Sequence, residues 1–391
     1  METRKSIYLY FIVLISMIDR AQEKLILSQF RDNKVVILHG PRQTGKTTLA
    51  KKIASESGKP FMVWNCDEVD MQIAITNANS TTLKNMISHF KLIIIDEAQR
   101  IENIGLTLKI IYDTIPGVKI IATGSSSFEL ADKINEPLTG RKWEYNILPI
   151  SFGEMVNHTD WLSEKRKLQE RMIYGYYPEI VNNPNESRDI LQSLVGSAWY
   201  KDILTWKNIK YPDRLGILVR ALAFQMGQQV SYNELAQTVK VDKETIERYI
   251  DLLEKAYIVY RLNSYSGNLR NELKKSRKVY FYDNGLRNAV ISDFKPLELR
   301  TDVGALWENW LMTERLKYIQ KNKIYCNRYF WRTDAQQEID YIEERDGQLF
   351  AFEYKWSVKG KALISKTFTN NYKNSVGKVI TPDNMEEFIL N

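Results

Sequence analysis

The sequence predicts an α/β chain, with a parallel-sheet nucleotide-binding domain first, a helical middle region, and a mixed α/β module at the carboxyl end. Three patterns predict this. An apolar run, Lys34–His39, leads into a glycine-flanked loop and then a helix-forming stretch, Thr48–Glu56. A second apolar run, from Leu92, ends on two acids, Asp96 and Glu97. Near the carboxyl end, Leu349–Trp356 alternates bulky apolar residues with Ala351, Glu353 and Lys355, as a strand with two distinct faces does.

The loop after the first run carries the most specific signal. Gly40, Pro41, Arg42, Gln43, Thr44, Gly45, Lys46 and Thr47, followed by Thr48, read as GxxxxGK[ST] between a buried strand and a helix. This P-loop spacing has a physical reason. Gly40 and Gly45 let the backbone curl until successive N–H groups point inward at phosphate oxygens. The new helix adds its positive N-terminal end. Lys46 is expected to reach the β- and γ-phosphates, and the Thr47 hydroxyl to ligate Mg²⁺. Asp96, at the end of its strand, is the second expected magnesium contact. Glu97 is the expected general base for an attacking water.

Two further strands complete the sheet in this reading. Pro60–Cys66 ends in Asp67-Glu68, and Val118–Ala122 ends in Thr123-Gly-Ser-Ser-Ser127. Ligands of open parallel sheets bind outside the carboxyl ends of the strands, where all these polar residues fall. Ser125 or Ser126 is the candidate sensor beside the γ-phosphate; the same serines also suit a helix N-cap ahead of Phe128–Ile134. Gly140-Arg141 precedes the β-rich stretch Lys142–Leu148. Arg141 is the candidate arginine finger, with Gln99 and Arg100 competing for that role.

Composition sets the frame. The chain has 391 residues, enough for two or three domains, and a formal net charge of +7. That modest excess permits contact with nucleic acid without requiring it. Two distant cysteines, Cys66 and Cys326, and three histidines argue against a zinc site or a disulfide framework, and fit a cytoplasmic setting. The apolar run Ile7–Ile18 is too short to span a bilayer. It lacks a small-residue cleavage site. No membrane association is expected, and residues 1–16 are read as an extension ahead of a start at Met17.

In the middle region, Arg214–Gln225 has helical periodicity. Ser231 and Glu234 then suggest a capping box, Val241-Asp242 a turn, and Ile246, Tyr249, Ile250 and Leu253 the apolar face of a third helix. Hairpin arms near Ile258–Leu262 and Lys278–Tyr282 follow. This is a winged helix-turn-helix pattern. Lys243, Thr245 and Arg248 are expected to project from the third helix, and the basic loop Arg270–Lys278 to offer phosphate contacts. DNA is therefore one candidate partner. A protein partner is the other, because winged helices also serve as protein-contact modules.

These residues together resemble a family of prokaryotic AAA-type ATPases that pair an N-terminal ATPase with a C-terminal restriction-endonuclease-like domain. The matching stretches are His39–Thr48, Ile95–Gln99, Thr123–Ser126, Gly140-Arg141, Leu148–Glu154, Tyr174–Glu179, Tyr280–Leu286 and Leu306–Asn309. Tyr176 departs from the pattern, where relatives usually have glycine. The resemblance implies an AAA/ASCE-like P-loop NTPase sheet, ATP and Mg²⁺ as ligands, and hydrolysis. It also adds weight to the carboxyl-terminal pattern of Glu308 on the helix Leu306–Ile319, Asp340 on the strand Glu338–Ile342, and Glu353 with Lys355. That is the arrangement of PD-(D/E)xK nucleases, in which Glu308, Asp340 and Glu353 would hold Mg²⁺ and Lys355 would stabilise charge.

The expected organisation is an extension at 1–16, a P-loop ATPase at 17–152, a helical and winged-helix region at 153–283, and a nuclease-like domain at 284–391. The expected function is magnesium-dependent ATP hydrolysis coupled to a DNA- or protein-directed switch. An ATP-gated nuclease and a nucleotide-sensing scaffold with little turnover are the alternatives. An arginine finger acting between copies would need an oligomer.

Overall fold

The computed structural model of the chain describes residues 17–30, 32–125, 134–199, 209, 211–266, 277–333, 335–357 and 364–390. Among these residues the strands form two sheets. Ser126, residues 1–16 and residues 270–276 of the basic loop lie outside the described residues.

The first sheet follows from short apolar runs that bury both faces. Helix α1 (Ala21–Gln29) precedes β1 (Val35–His39), and α2 (Lys46–Glu56) follows it directly across the loop. Then come β2 (Phe61–Asn65), β3 (Leu92–Asp96), β4 (Lys119–Gly124) and β5 (Lys142–Asn146). The strand order is β2-β3-β4-β1-β5, and every pairing is parallel. Continuous apolar strands such as Val35–Leu38 and Leu92–Ile95 are what a sheet covered on both sides requires. One cluster, with Ile37, Ile93, Ile95 and Leu108, lines one face; the other, with Val36, Leu38, Ile53 and Ile94, lines the opposite face. Because β4 lies between β1 and β3, its carboxyl end falls between the P-loop and Asp96.

The middle region contains α3 (Pro212–Phe224), α4 (Tyr232–Val239) and α5 (Lys243–Lys255). Pro212 opens α3 where a missing N–H costs nothing. Ser231 caps α4 by accepting from the Glu234 amide at 3.3 Å. Asp242 caps α5 by accepting from the Thr245 amide at 2.6 Å and from its hydroxyl at 2.8 Å. Thr245 is consequently buried and does not project from α5, which corrects the sequence expectation. A residue three past the cap is turned back onto it.

A second, seven-stranded mixed sheet runs β12-β11-β10-β9-β7-β8-β6. It joins β6 (Gln229–Val230) and the hairpin β7 (Val259–Ser264) and β8 (Arg277–Phe281) to β9 (Asn327–Arg332), β10 (Glu338–Arg345), β11 (Gln348–Tyr354) and β12 (Ser375–Ile380). The join is the parallel pairing of β7 with β9, Asn263 beside Tyr329. The long helix α6 (Val303–Lys321) packs on this sheet. One core, including Leu253, Val279, Phe281, Trp307, Tyr341 and Phe352, spans the middle and carboxyl-terminal regions. The winged-helix hairpin and the carboxyl-terminal strands are thus one structural unit. Among the described residues no helix is long and apolar enough to cross a membrane.

Candidate functional site

The loop between β1 and α2 curls through three left-handed positions, Gly40 (φ 148°), Gln43 (φ 59°) and Gly45 (φ 86°). Gly40 is confined as well as twisted, since a Cβ there would meet the Ile147 carbonyl oxygen at 2.4 Å. Thr44 Oγ1 donates to the Pro41 carbonyl at 2.9 Å, and the buried Lys46 Nζ donates to the carbonyls of Gly40 (3.0 Å) and Pro41 (2.6 Å). The ammonium is thus held inside the curl. From outside, Arg20 donates to the Thr44 carbonyl at 2.7 Å and the Leu148 carbonyl at 2.6 Å, with its Nε on Glu154 at 3.0 Å. No side chain caps α2, whose first residue follows Gly45. The start of a helix, with its positive dipole end, therefore follows the loop directly, as in an anion site. Thr48 is exposed on the first turn, and Arg42 is half-buried on the loop.

The strand ends supply the other half. Asp96 Oδ1 accepts from Thr47 Oγ1 and from Thr123 Oγ1, each at 2.6 Å. Thr123 Oγ1 in turn accepts the Glu97 N–H at 3.1 Å. Glu97 is left-handed (φ 52°, ψ 43°), uncommon for a residue other than glycine, and such backbone clusters at functional sites. Its Oε2 accepts from Gln99 Nε2 at 2.6 Å, and the same amide group donates to Ser125 Oγ at 3.0 Å. Thr47, Asp96, Glu97 and Ser125 are therefore one hydrogen-bonded cluster. Thr123 at its centre was missed from the sequence. Its signal was a hydroxyl ending an apolar strand, but its importance depends on β4 lying between β1 and β3.

The set fits a nucleotide and a hard metal. Curled N–H groups, an enclosed ammonium, and a threonine hydroxyl beside one carboxylate are donors and acceptors of the right chemistry.

Arg141 does not belong to this cluster. Arg141 precedes β5, and β5 runs parallel to β1 with Val35 beside Lys142. It therefore lies at the amino edge of the sheet, roughly 15 Å from the P-loop at about 3.3 Å per strand residue. There it pairs with Asp113 at 3.2 Å. A finger role within the same chain is corrected on that ground. Of its competitors, Arg100 pairs with Asp67 at 3.0 Å, and Gln99 is the one that touches Glu97.

The residues flanking the loop reach the second unit. His39 Nδ1 lies 2.6 Å from the Tyr257 hydroxyl, which donates to Asn146 Oδ1 at 2.6 Å. Burial pushes the His39 pKa down to about 4; Lys142 and Lys46 add to this, against the pull of Glu144.

In the second unit, Glu308, Asp340, Glu353 and Lys355 do come together. Lys355 Nζ donates to Glu353 Oε2 at 3.0 Å, and Asp340 Oδ2 accepts the Tyr354 N–H at 2.8 Å. Lys278, from β8, enters the same cluster and was not expected there. Its buried Nζ lies 3.1 Å from Glu308 and 2.5 Å from Glu338. Tyr280 also donates to Glu308, at 2.6 Å. Burial pushes Glu308 and Glu353 up to about 7; Asp340 adds to this in both, while Lys278 pulls Glu308 down and Lys355 pulls Glu353 down. Lys278 is held above its ordinary value by Glu308, Asp340 and Glu338, although burial alone would lower it. Among the described residues no group of three or more His, Cys, Asp or Glu is arranged to hold a metal. With an ammonium already among these carboxylates, they do not fit a metal shell as arranged.

The parallel sheet, its strand order and the loop define the first domain as a P-loop NTPase domain, followed by a second, mixed-sheet domain. Family comparison agrees. Residues 32–156 match the family described as "AAA domain". Residues 165–297 match "Domain of unknown function (DUF8612)", and residues 303–389 match "Domain of unknown function (DUF4143)". An uncharacterized protein of Mycobacterium tuberculosis is 28% identical over 336 residues, covering 82% of this chain and 70% of its own. An uncharacterized protein of Methanocaldococcus jannaschii is 26% identical, covering 77% and 71%. The Walker-type ATPase of Pyrococcus abyssi, a solved structure, aligns with 70% of this chain and 96% of its own at 16% identity, with a TM-score of 0.49.

Proposed function

We propose that the first domain binds MgATP and hydrolyses it, and that the change of nucleotide switches the conformation of the second. The observation that carries this reading is the junction at the carboxyl edge of the sheet. There Asp96 accepts from both Thr47 and Thr123 at 2.6 Å, and Glu97 leaves the same strand in a left-handed turn.

Gly40–Thr48 would hold the phosphates through backbone N–H groups, with Lys46 supplying fixed positive charge. Thr47 and Asp96 would hold Mg²⁺, which when bound offsets negative charge on the phosphoryl oxygens. Glu97 would take a proton from the attacking water, and Gln99 fixes the orientation of its carboxylate by holding Oε2. Thr123 positions both acids, one through its hydroxyl proton and one through its lone pair. Ser125 lies behind Gln99 and supports it.

For the switch, a protein surface is the better-supported partner. Helix α5 carries Lys243, Arg248 and Lys255 against Glu244, Glu247, Asp251 and Glu254, so it lacks the basic surplus that phosphate contacts use. The nearby Arg261 and Arg277 are engaged by Asp251, Glu254 and Glu247.

Calorimetry and phosphate release test the core of the reading. Lys46→Ala should abolish MgATP binding, and Glu97→Gln should bind and lose turnover. A Glu97→Gln variant hydrolysing at the wild-type rate would remove Glu97 as the base. No heat of MgATP binding to the wild-type chain would overturn the whole assignment.

A further inference from the structure

Tyr257 occupies a backbone position that suits glycine. Helix α5 ends in a Schellman cap, in which the Tyr257 N–H donates to the Glu254 carbonyl and the Ile258 N–H to the Leu253 carbonyl, both at 2.9 Å. The cap requires left-handed backbone at Tyr257, whose φ is 57°. A side chain crowds its own backbone there, and a bulky one is an outlier.

The strained position gives the ring its reach. The Tyr257 hydroxyl lies 2.6 Å from His39 and donates to Asn146 at 2.6 Å. A hydroxyl has one proton, so His39 Nδ1–H is the donor in the first of these bonds. His39 ends β1 and precedes Gly40; Asn146 ends β5 and precedes Ile147, whose carbonyl confines Gly40. Tyr257 therefore ties together the two strand ends that frame the phosphate loop. Its ring also packs with Leu148 and with Leu316 of α6. One side chain thus touches the loop's base, the end of α5 and the long helix of the second domain.

We infer that Tyr257 is a positioning residue that transmits the nucleotide state of the phosphate loop to α5. The inference rests on the MgATP site proposed above. Lys46 is held by the carbonyls of Gly40 and Pro41. A phosphate that draws the ammonium away loosens Gly40, one residue from His39. Gly40 has no room to move toward Ile147, so the displacement passes along the chain to His39 and its partner hydroxyl. The strain at Tyr257 leaves α5 free to relax when that bond is released.

Hydrogen exchange of the full chain, with and without MgAMP-PNP, tests this in wild type, Tyr257→Phe and Tyr257→Gly. In wild type, nucleotide should change exchange of the Ile246–Leu253 amides by about fivefold or more, the usual lower range of coupling between sites. Tyr257→Phe should lose that response while binding MgAMP-PNP as wild type does. Tyr257→Phe keeps the buried ring and its packing, so it should melt close to wild type and yet lose the response, which a merely structural tyrosine would not do; Tyr257→Gly empties the ring's site, so it should lose the response and melt lower. Nucleotide binding without any exchange response in α5, or a response retained by either variant, overturns the relay alone. A wild-type chain that binds no nucleotide overturns the MgATP reading and the relay with it.

Discussion

Replacing Thr123 by valine removes two hydrogen bonds and almost no volume. Thr123 is fully buried; its hydroxyl donates to Asp96 at 2.6 Å and accepts the Glu97 amide at 3.1 Å. A hydrogen bond to a charged group contributes about 1.5–3 kcal/mol, and a buried amide left unpaired costs about 1–3 kcal/mol. Part of that loss appears as lower stability. The part that reaches the rate is the misalignment of Asp96 and Glu97, which valine leaves with only Thr47 and Gln99 to orient them. A loss of about 1.4–2.8 kcal/mol in transition-state stabilisation corresponds to a fall in kcat of about 10- to 100-fold. Lys46, Thr47 and the curled loop are untouched, so MgATP affinity should change little. The assay is steady-state phosphate release beside a calorimetric titration, with a thermal melt to confirm folding. A folded Thr123→Val chain turning over within about threefold of wild type, a difference of about 0.7 kcal/mol or less, would refute the positioning role.

Two further outcomes follow from buried charge. The pKa of His39 is about 4 in the fold against 6.5 for a free histidine, chiefly through burial. The unfolded chain therefore takes up the proton first, so this histidine costs nothing above about pH 6.5 and removes about 3 kcal/mol of stability as pH falls toward 4. Glu308 and Glu353, raised to about 7, act with the opposite sign as pH falls from 7 toward their ordinary range. The readout is therefore the difference between wild type and His39→Asn in urea melts at about pH 7.5 and about pH 5. Equal losses in the two chains would show that His39 does not carry the effect. Lys278→Met should destabilise the second domain by about 1–3 kcal/mol, because it leaves the partly buried Glu308 and Glu338 without their cation, short of the cost of stranding a fully buried charge. Adding Glu308→Gln should recover part of that loss, and a double-mutant cycle without coupling would contradict the pairing.

The elements were legible where period and punctuation agree. Lys34–His39, the loop and the following helix needed only a buried run, two glycines and a helix-forming stretch. The apolar face of α5, from Ile246 to Leu253, needed only helical spacing. What stayed hidden depends on which strands pair. Thr123 matters because β4 lies between β1 and β3, and no local pattern states that order. The hairpin looked like a free wing because its parallel pairing with β9 joins Asn263 to Tyr329 across a long stretch of chain. That pairing is also what brings Lys278 among the carboxylates. Arg141 was misplaced although its position could be read. A residue just before a parallel strand sits at the amino edge, opposite the edge where ligands bind.

The segment after β5 constrains how a nucleotide-driven switch can work. Ser151 and Glu154 form a complete capping box there, and Glu154 also accepts from the Ala21 amide at 2.7 Å and from Arg20. Burial alone would raise the Glu154 pKa, but Arg20 and these N–H groups hold it below its ordinary value, so the pair stays ionised. Arg20 continues to the loop through the Thr44 carbonyl. On the other side, the Phe152 amide donates to Glu314 at 2.7 Å and Lys317 donates to the Ile150 carbonyl at 2.9 Å, both from α6. A flexible linker would leave these backbone groups to water. Here both sides are fixed by hydrogen bonds to charged groups, each contributing about 1.5–3 kcal/mol, and a wide opening would have to break them together. Wide hinge opening at this seam is therefore expensive. A small movement at the loop must instead reach the second domain through contacts already made, of which the Arg20–Glu154 pair is rigid and the strained Tyr257 contact is the one built to yield.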